Sequence, residues 1–121
     1  MTIFTSSQLY ARLDVQAPML MLDLAQIAED GASAVARKAV SMNEAVFGGH
    51  FPVQPILPGV LQVTAMTQLS KLLFKEAIPG IGGSEIVLKK IHRLKFRKPV
   101  LPGMVMMVEA KIQERHAEGE V

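Results

Sequence analysis

One histidine in this chain stands inside a stretch of strong backbone constraint. Gly48-Gly49-His50-Phe51-Pro52-Val53-Gln54-Pro55-Ile56-Leu57-Pro58-Gly59 sets an ionisable imidazole between a glycine pair and three prolines. The proline rings fix φ at three of seven consecutive positions, 52 to 58. Gly48-Gly49 gives the backbone freedom just before His50. Pro58-Gly59 then makes a sharp turn ahead of the apolar run 60–74. An imidazole, with an ordinary pKa near ~6.5, exchanges a proton close to neutral pH, so a rigidly delivered histidine suits general acid or base chemistry. A histidine taken alone is more often structural or exposed. His92 and His116, which have no such surroundings, are read that way.

The elements that must position this loop can be read from periodicity. Residues 60–76 form the one long helix, with Leu61, Ala65, Leu69, Leu72 and Leu73 in one stripe. Val60, Val63 and Met66 widen it, as expected of a helix buried inside something else. Residues 79–83, Pro-Gly-Ile-Gly-Gly, end it. Upstream, residues 7–13 predict a short helix stopped by Ala17-Pro18. Residues 19–29 predict a strand with Leu20, Leu22 and Leu24 on one face and a phase break at Ile27. Asp30-Gly31 signals a hairpin into a return strand at 32–42, and Ser41 precedes Glu44 at capping-box spacing.

Downstream, residues 84–98 predict a strand with Ile86, Leu88, Leu94 and Phe96 on one side and Lys89, Arg93, Lys95 and Arg97 on the other. Residues 104–115 predict a second, with Met106, Val108, Ala110 and Ile112 inward and an open edge. The order β-β-loop-helix-β-β is α+β: a curved antiparallel sheet around one central helix, in a single domain.

Composition narrows the function classes. The chain has 121 residues, half of them hydrophobic but only 5% aromatic, so the core is aliphatic. Eight methionines fit ordinary core filling better than they argue for an acyl-chain tunnel. With no cysteine, disulfides and thiolate metal sites are excluded. Three histidines without a carboxylate cluster give no metal site, and no cofactor is called for. No signal-peptide pattern opens the chain, and no apolar run reaches the ~18–20 residues that span a bilayer, so a soluble, cytoplasmic protein is expected. A net charge of +2 does not argue for nucleic acid.

Asn43-Glu44, Phe47-Gly48-Gly49-His50-Phe51-Pro52 and Pro55-Ile56-Leu57-Pro58-Gly59-Val60-Leu61, in that spacing, resemble the signature of the 3-hydroxyacyl-acyl-carrier-protein dehydratases, whose fold is the hot dog. Phe96-Arg97-Lys98-Pro99-Val100-Leu101-Pro102-Gly103 resembles that family's later strand and corner. The resemblance, which runs over about residues 18–114, implies removal of water from a 3-hydroxyacyl thioester. His50 takes the place of the family's proton-transfer histidine. Gly59 and Val60 match the positions whose amides hold the thioester carbonyl, a role that helix-terminus electrostatics supports independently. Gln68 and Phe51 fall at further substrate-side positions.

The resemblance departs at one critical place. The family's acidic residue, five positions after the glycine, is here Thr64, a far poorer proton donor. Its hydroxyl either donates to substrate or water, or bonds back to the helix carbonyl four residues earlier. Met104 also replaces an acid, and the chain stops before the family's final hairpin.

The family's sites form between subunits, which implies a homodimer or higher even oligomer, or a heterodimer in which an acid-bearing hot-dog subunit completes the site. The alternatives are a non-catalytic or partner-dependent subunit and a hot-dog thioesterase. The basic residues Lys89, Arg93, Lys95 and Arg97 read as a solvated strand face or, by resemblance, as a dock for acyl carrier protein. Nucleic acid is disfavoured, with no aromatic residue interleaved on that face.

Overall fold

The computed structural model describes residues 1–15, 18–48, 55–78, 80 and 86–113. His50 and Phe51 lie outside the described residues, as does His116. The elements run β1 (Thr2–Phe4), α1 (Ser6–Leu13), β2 (Leu24–Ile27), β3 (Ser33–Ala39), a 3-10 turn (Ala45–Gly48), α2 (Gly59–Ala77) and β4 (Val105–Lys111). The strands make one antiparallel sheet in the order β1-β2-β3-β4. Helix α2 packs across β3 and β4.

The β2–β3 hairpin forms where Asp30-Gly31 predicts it. Gly31 sits at φ +69°, its N–H donates to the Ala28 carbonyl at 2.9 Å, and Asp30 Oδ1 accepts from the Ala32 amide at 2.9 Å. In β3, Ala34, Ala36 and Lys38 face inward, which a run rich in alanine did not make obvious. In β4 the expected phase holds: Val108 is buried, while Met106, Ala110 and Ile112 pack against the core.

Three expectations are corrected. First, β1 adds a strand at the N-terminus, pairing Thr2–Phe4 with β2; three residues are too few for periodicity to announce. Second, the strand expected over 19–29 shrinks to Leu24–Ile27, and its inward residues are Ala25 and Ile27 rather than Leu24. The cause lies just upstream. Asp23 takes the Ala39 amide on Oδ2 at 2.7 Å, and the Met21 N–H donates to the side chain of Gln68 at 2.8 Å. Residues 19–21 are therefore tied to α2, so Leu22 is buried without belonging to the ladder.

Third, residues 86–98 form no strand. Positions 87–99 are all exposed, so Leu88, Leu94 and Phe96 stand in solvent alongside Lys89, Arg93, Lys95 and Arg97 instead of on an opposite, buried face. Among the described residues the ladder ends at β4, and none of them supplies a neighbouring strand to this extended segment.

Helix α2 agrees with its predicted span to within one residue at each end. Its buried stripe is Ala65, Leu69, Leu72 and Leu73, with Gln68 beside it. Val60 and Met66 instead face outward, so the first half is covered on one side only. Helix α1 braces the other end: Arg12 pairs with Glu76, and Lys75 Nζ donates to the Arg12 carbonyl.

A partly buried ion pair holds the chain between β3 and the histidine loop. Lys38, on the inward face of β3, reaches Glu44 Oε1 at 3.0 Å, and Glu44 Oε2 accepts the Ser41 amide at 2.9 Å. Only half of the expected capping box forms, because the Ser41 hydroxyl accepts from the Asn43 amide at 3.1 Å and the Glu44 amide donates to the Ser41 carbonyl; Phe47 packs with Val40 and Leu57. Glu44→Ala leaves the Lys38 ammonium largely buried and unpaired. It is expected to cost about 1–3 kcal/mol, read as a lower urea midpoint, with Lys38→Met recovering part of the loss in the double variant. An unchanged midpoint in Glu44→Ala contradicts this role.

Candidate active site

Four of the expected site residues lie on the N-terminal half of α2. Val60, Thr64 and Gln68 recur at four-residue spacing and so share one face, with Gly59 at its head. That face opens on a cavity of about 260 Å³, whose wall includes Val60, Val63, Thr64, Thr67, Gln68 and Leu88. A longer groove of about 970 Å³ shares Val63, Thr67, Lys71 and Leu88 with it and runs on between α2 and the extended segment, past Met66, Phe74 and Ile91. The floor is mostly apolar, and Lys71, Lys89, Lys90 and Arg93 stand on its rim.

The helix start is open. Pro58 occupies the N-cap in an extended conformation, with no side chain to bond the first amides, and the first turn has no acidic residue. The first helical bonds are those from the Leu61 and Gln62 amides to the Pro58 carbonyl, at 3.0 and 3.3 Å. The Gly59 and Val60 amides come before them and bond to no other described residue. Val60 is 70% exposed, so this end of the dipole is reachable from outside. Nothing described competes for these donors.

Thr64 bonds back along its own helix: its hydroxyl donates to the Val60 carbonyl at 2.9 Å. Thr67 does the same to Val63, and Ser70 to Met66, each at 2.9 Å. All three hydroxyl protons are thereby spent within α2, and Thr64 keeps only acceptor capacity toward the cavity. No carboxylate is found among the described residues lining the cavity.

Gln68 is 7% exposed and held at both ends of its amide. Its Oε1 accepts the Met21 N–H at 2.8 Å, and its Nε2 donates to the Met19 carbonyl at 2.9 Å. A side chain expected to meet substrate thus fastens the 19–21 segment to the helix. Among the described residues no cluster of His, Cys, Asp and Glu could hold a metal ion, and no helix is long and apolar enough to cross a membrane.

Sequence reading missed two residues that shape this region. Lys38 gave no signal, because a lone lysine in an alanine-rich strand looks solvated. Phe96 was placed on a buried strand face, whereas its ring rests against Gly59.

An α+β sheet packed on one helix, with an uncapped helix start at the mouth of an apolar groove, is a frame suited to acyl thioesters. Comparison with known proteins agrees. A model of the FabA-like domain matches residues 14–121. The chain is 39% identical over 100 residues to the 3-hydroxyacyl-[acyl-carrier-protein] dehydratase FabZ of Rickettsia bellii, covering 83% of this chain and 69% of the relative. It is 40% identical over 101 residues to the FabZ enzyme of Erythrobacter litoralis, covering 83% and 67%. The FabZ enzyme of Zymomonas mobilis is 38% identical over 109 residues, covering 89% and 69%. This chain belongs to the FabA-like family and has its hot-dog fold.

The Gln68 clamp has a direct test. Gln68→Leu leaves the Met21 amide and the Met19 carbonyl without their partner and is expected to lower stability by about 1–3 kcal/mol in urea unfolding. Gln68→Glu keeps the acceptor for Met21 but sets a buried carboxylate against the Met19 carbonyl, so it should lose at least as much at neutral pH. Unchanged stability in Gln68→Leu would remove the clamp from this account.

Proposed function

We propose that this chain is a 3-hydroxyacyl-acyl-carrier-protein dehydratase, removing water from a carrier-bound 3-hydroxyacyl thioester to give the trans-2-enoyl thioester in acyl-chain biosynthesis. The observation that carries the reading is the pair of amides at Gly59 and Val60, which bond to no other described residue, with Val60 on the wall of the cavity. As the C2 proton leaves, negative charge builds on the thioester oxygen, and donors already aimed there stabilise it without reorganising. His50 is the base that takes the proton. The acyl chain follows the apolar wall past Val63 and Met66 into the longer groove, and Phe51 is a further substrate-binding residue in this reading.

The hydroxyl must leave with a proton, and here one specific observation favours a second component. The Thr64 hydroxyl is committed to the Val60 carbonyl, and the described cavity wall holds no acid. The proton donor then comes from an acid-bearing partner subunit of the same fold in a heterodimer, since a homodimer of this chain carries Thr64 in both sites. A thioesterase reading gains nothing from the geometry, since the same missing carboxylate would have to activate water.

Delivery fits the exposed cations. Lys89, Arg93, Lys95 and Arg97 stand along one solvent-facing segment that borders the groove, suited to an acidic carrier protein.

The assay is dehydration of a 3-hydroxyacyl carrier-protein substrate, followed by the enoyl product. The chain alone is expected to turn over slowly, and His50→Ala to lower that rate by about 10²–10⁴. Thr64→Glu, which restores an acid on the same face, is expected to raise the rate by a similar factor. No enoyl product from either the wild type or Thr64→Glu, with a free carrier thiol appearing instead, would overturn the dehydratase reading.

A further inference from the structure

Gly59 has no conformational need to be glycine, since it lies within α2 and outside the left-handed region. What excludes a side chain there is Phe96. An ideal Cβ on Gly59 would lie 2.7 Å from Cζ of that ring, 3.0 Å from Cε2 and 3.1 Å from Cε1. The far edge of the ring thus rests on the first turn of the helix, while the residue as a whole is 53% exposed. The segment carrying it is anchored four residues later, where the Leu57 N–H donates to the Val100 carbonyl at 2.8 Å. Leu57 in turn is fully buried beside Val40 and Phe47. One strap therefore runs from the buried loop to the helix start and ends in an aromatic edge.

We infer that Phe96 is a positioning residue for the Gly59 and Val60 amides, its ring covering one side of their first turn and fixing its orientation. The inference rests on the reading of those amides as the carbonyl-binding pair. Donors facing bulk water lose much of their electrostatic effect, and donors on one shielded side keep it. A ring edge is the electropositive part of an aromatic side chain, so it does not oppose a developing oxyanion nearby. The neighbours Lys95 and Arg97 are exposed cations, which keeps the local potential positive. Glycine at position 59 is the counterpart of this contact: it is what lets the ring approach.

Phe96→Ala is expected to lower kcat in the dehydration assay roughly ten- to hundredfold with KM little changed, and Phe96→Leu, which keeps an apolar side chain and adds nothing beyond the ring edge, to restore part of it. Gly59→Ala pushes the same ring away, so the double variant should be no worse than Gly59→Ala alone. A second measurement needs no substrate. Amide hydrogen exchange at Gly59 and Val60 should speed roughly tenfold in Phe96→Ala and by less in Phe96→Leu. If the wild type makes no enoyl product, the functional reading fails and exchange alone decides the role of the ring. Unchanged exchange in Phe96→Ala, a loss confined to KM, or fully additive losses in the double variant would each overturn the inference.

Discussion

The site depends on how α2 begins. Its start is fastened by the backbone bond from Leu57 to Val100 and by the aromatic edge of Phe96 on Gly59, while its first two amides stay unclaimed by other described residues. An ordinary surface helix satisfies such amides with a side-chain cap. Proline at the N-cap position withholds that cap, and the absence of an acidic first turn leaves the positive end of the dipole uncompensated. The remaining interactions hold this end in place. The buried stripe of Ala65, Leu69, Leu72 and Leu73 seats α2 on the sheet, Gln68 ties residues 19–21 to its flank, and Arg12 with Glu76 braces its far end.

The polar residues of α2 follow one rule. A helix with an apolar groove along it can carry hydroxyls only if their protons have acceptors. Thr64, Thr67 and Ser70 each find one in the carbonyl four residues back. Each hydroxyl proton is thereby satisfied within the helix, Thr64 included.

Much of this was legible in the residues. The stripe of α2, the Asp30-Gly31 hairpin, the bond from the Ser41 amide to Glu44 and the inward phase of β4 all depend on local pattern, and local pattern is what a sequence displays. Gly59, Val60, Thr64 and Gln68 came to one end of one helix because four-residue spacing puts them there. What stayed hidden depends on distant partners. The phase of β2 is set by Gln68, which takes 19–21 out of the ladder from 47 and 49 residues away. Residues 86–98 alternate like a strand, but alternation does not supply a neighbouring strand. Phe96 reads as a core aromatic until its ring is seen on Gly59, and Lys38 reads as solvated until Glu44 is seen beside it.

The central claim is that the Gly59 and Val60 amides take the thioester carbonyl. Isotope-edited infrared spectroscopy of a substrate analogue labelled with carbon-13 at that carbonyl tests it most directly. On binding to the wild-type chain, the carbonyl stretch should move to lower frequency than in water, because two preset donors polarise the bond more than mobile solvent does. A bound analogue whose carbonyl band stays at its aqueous frequency would contradict the account.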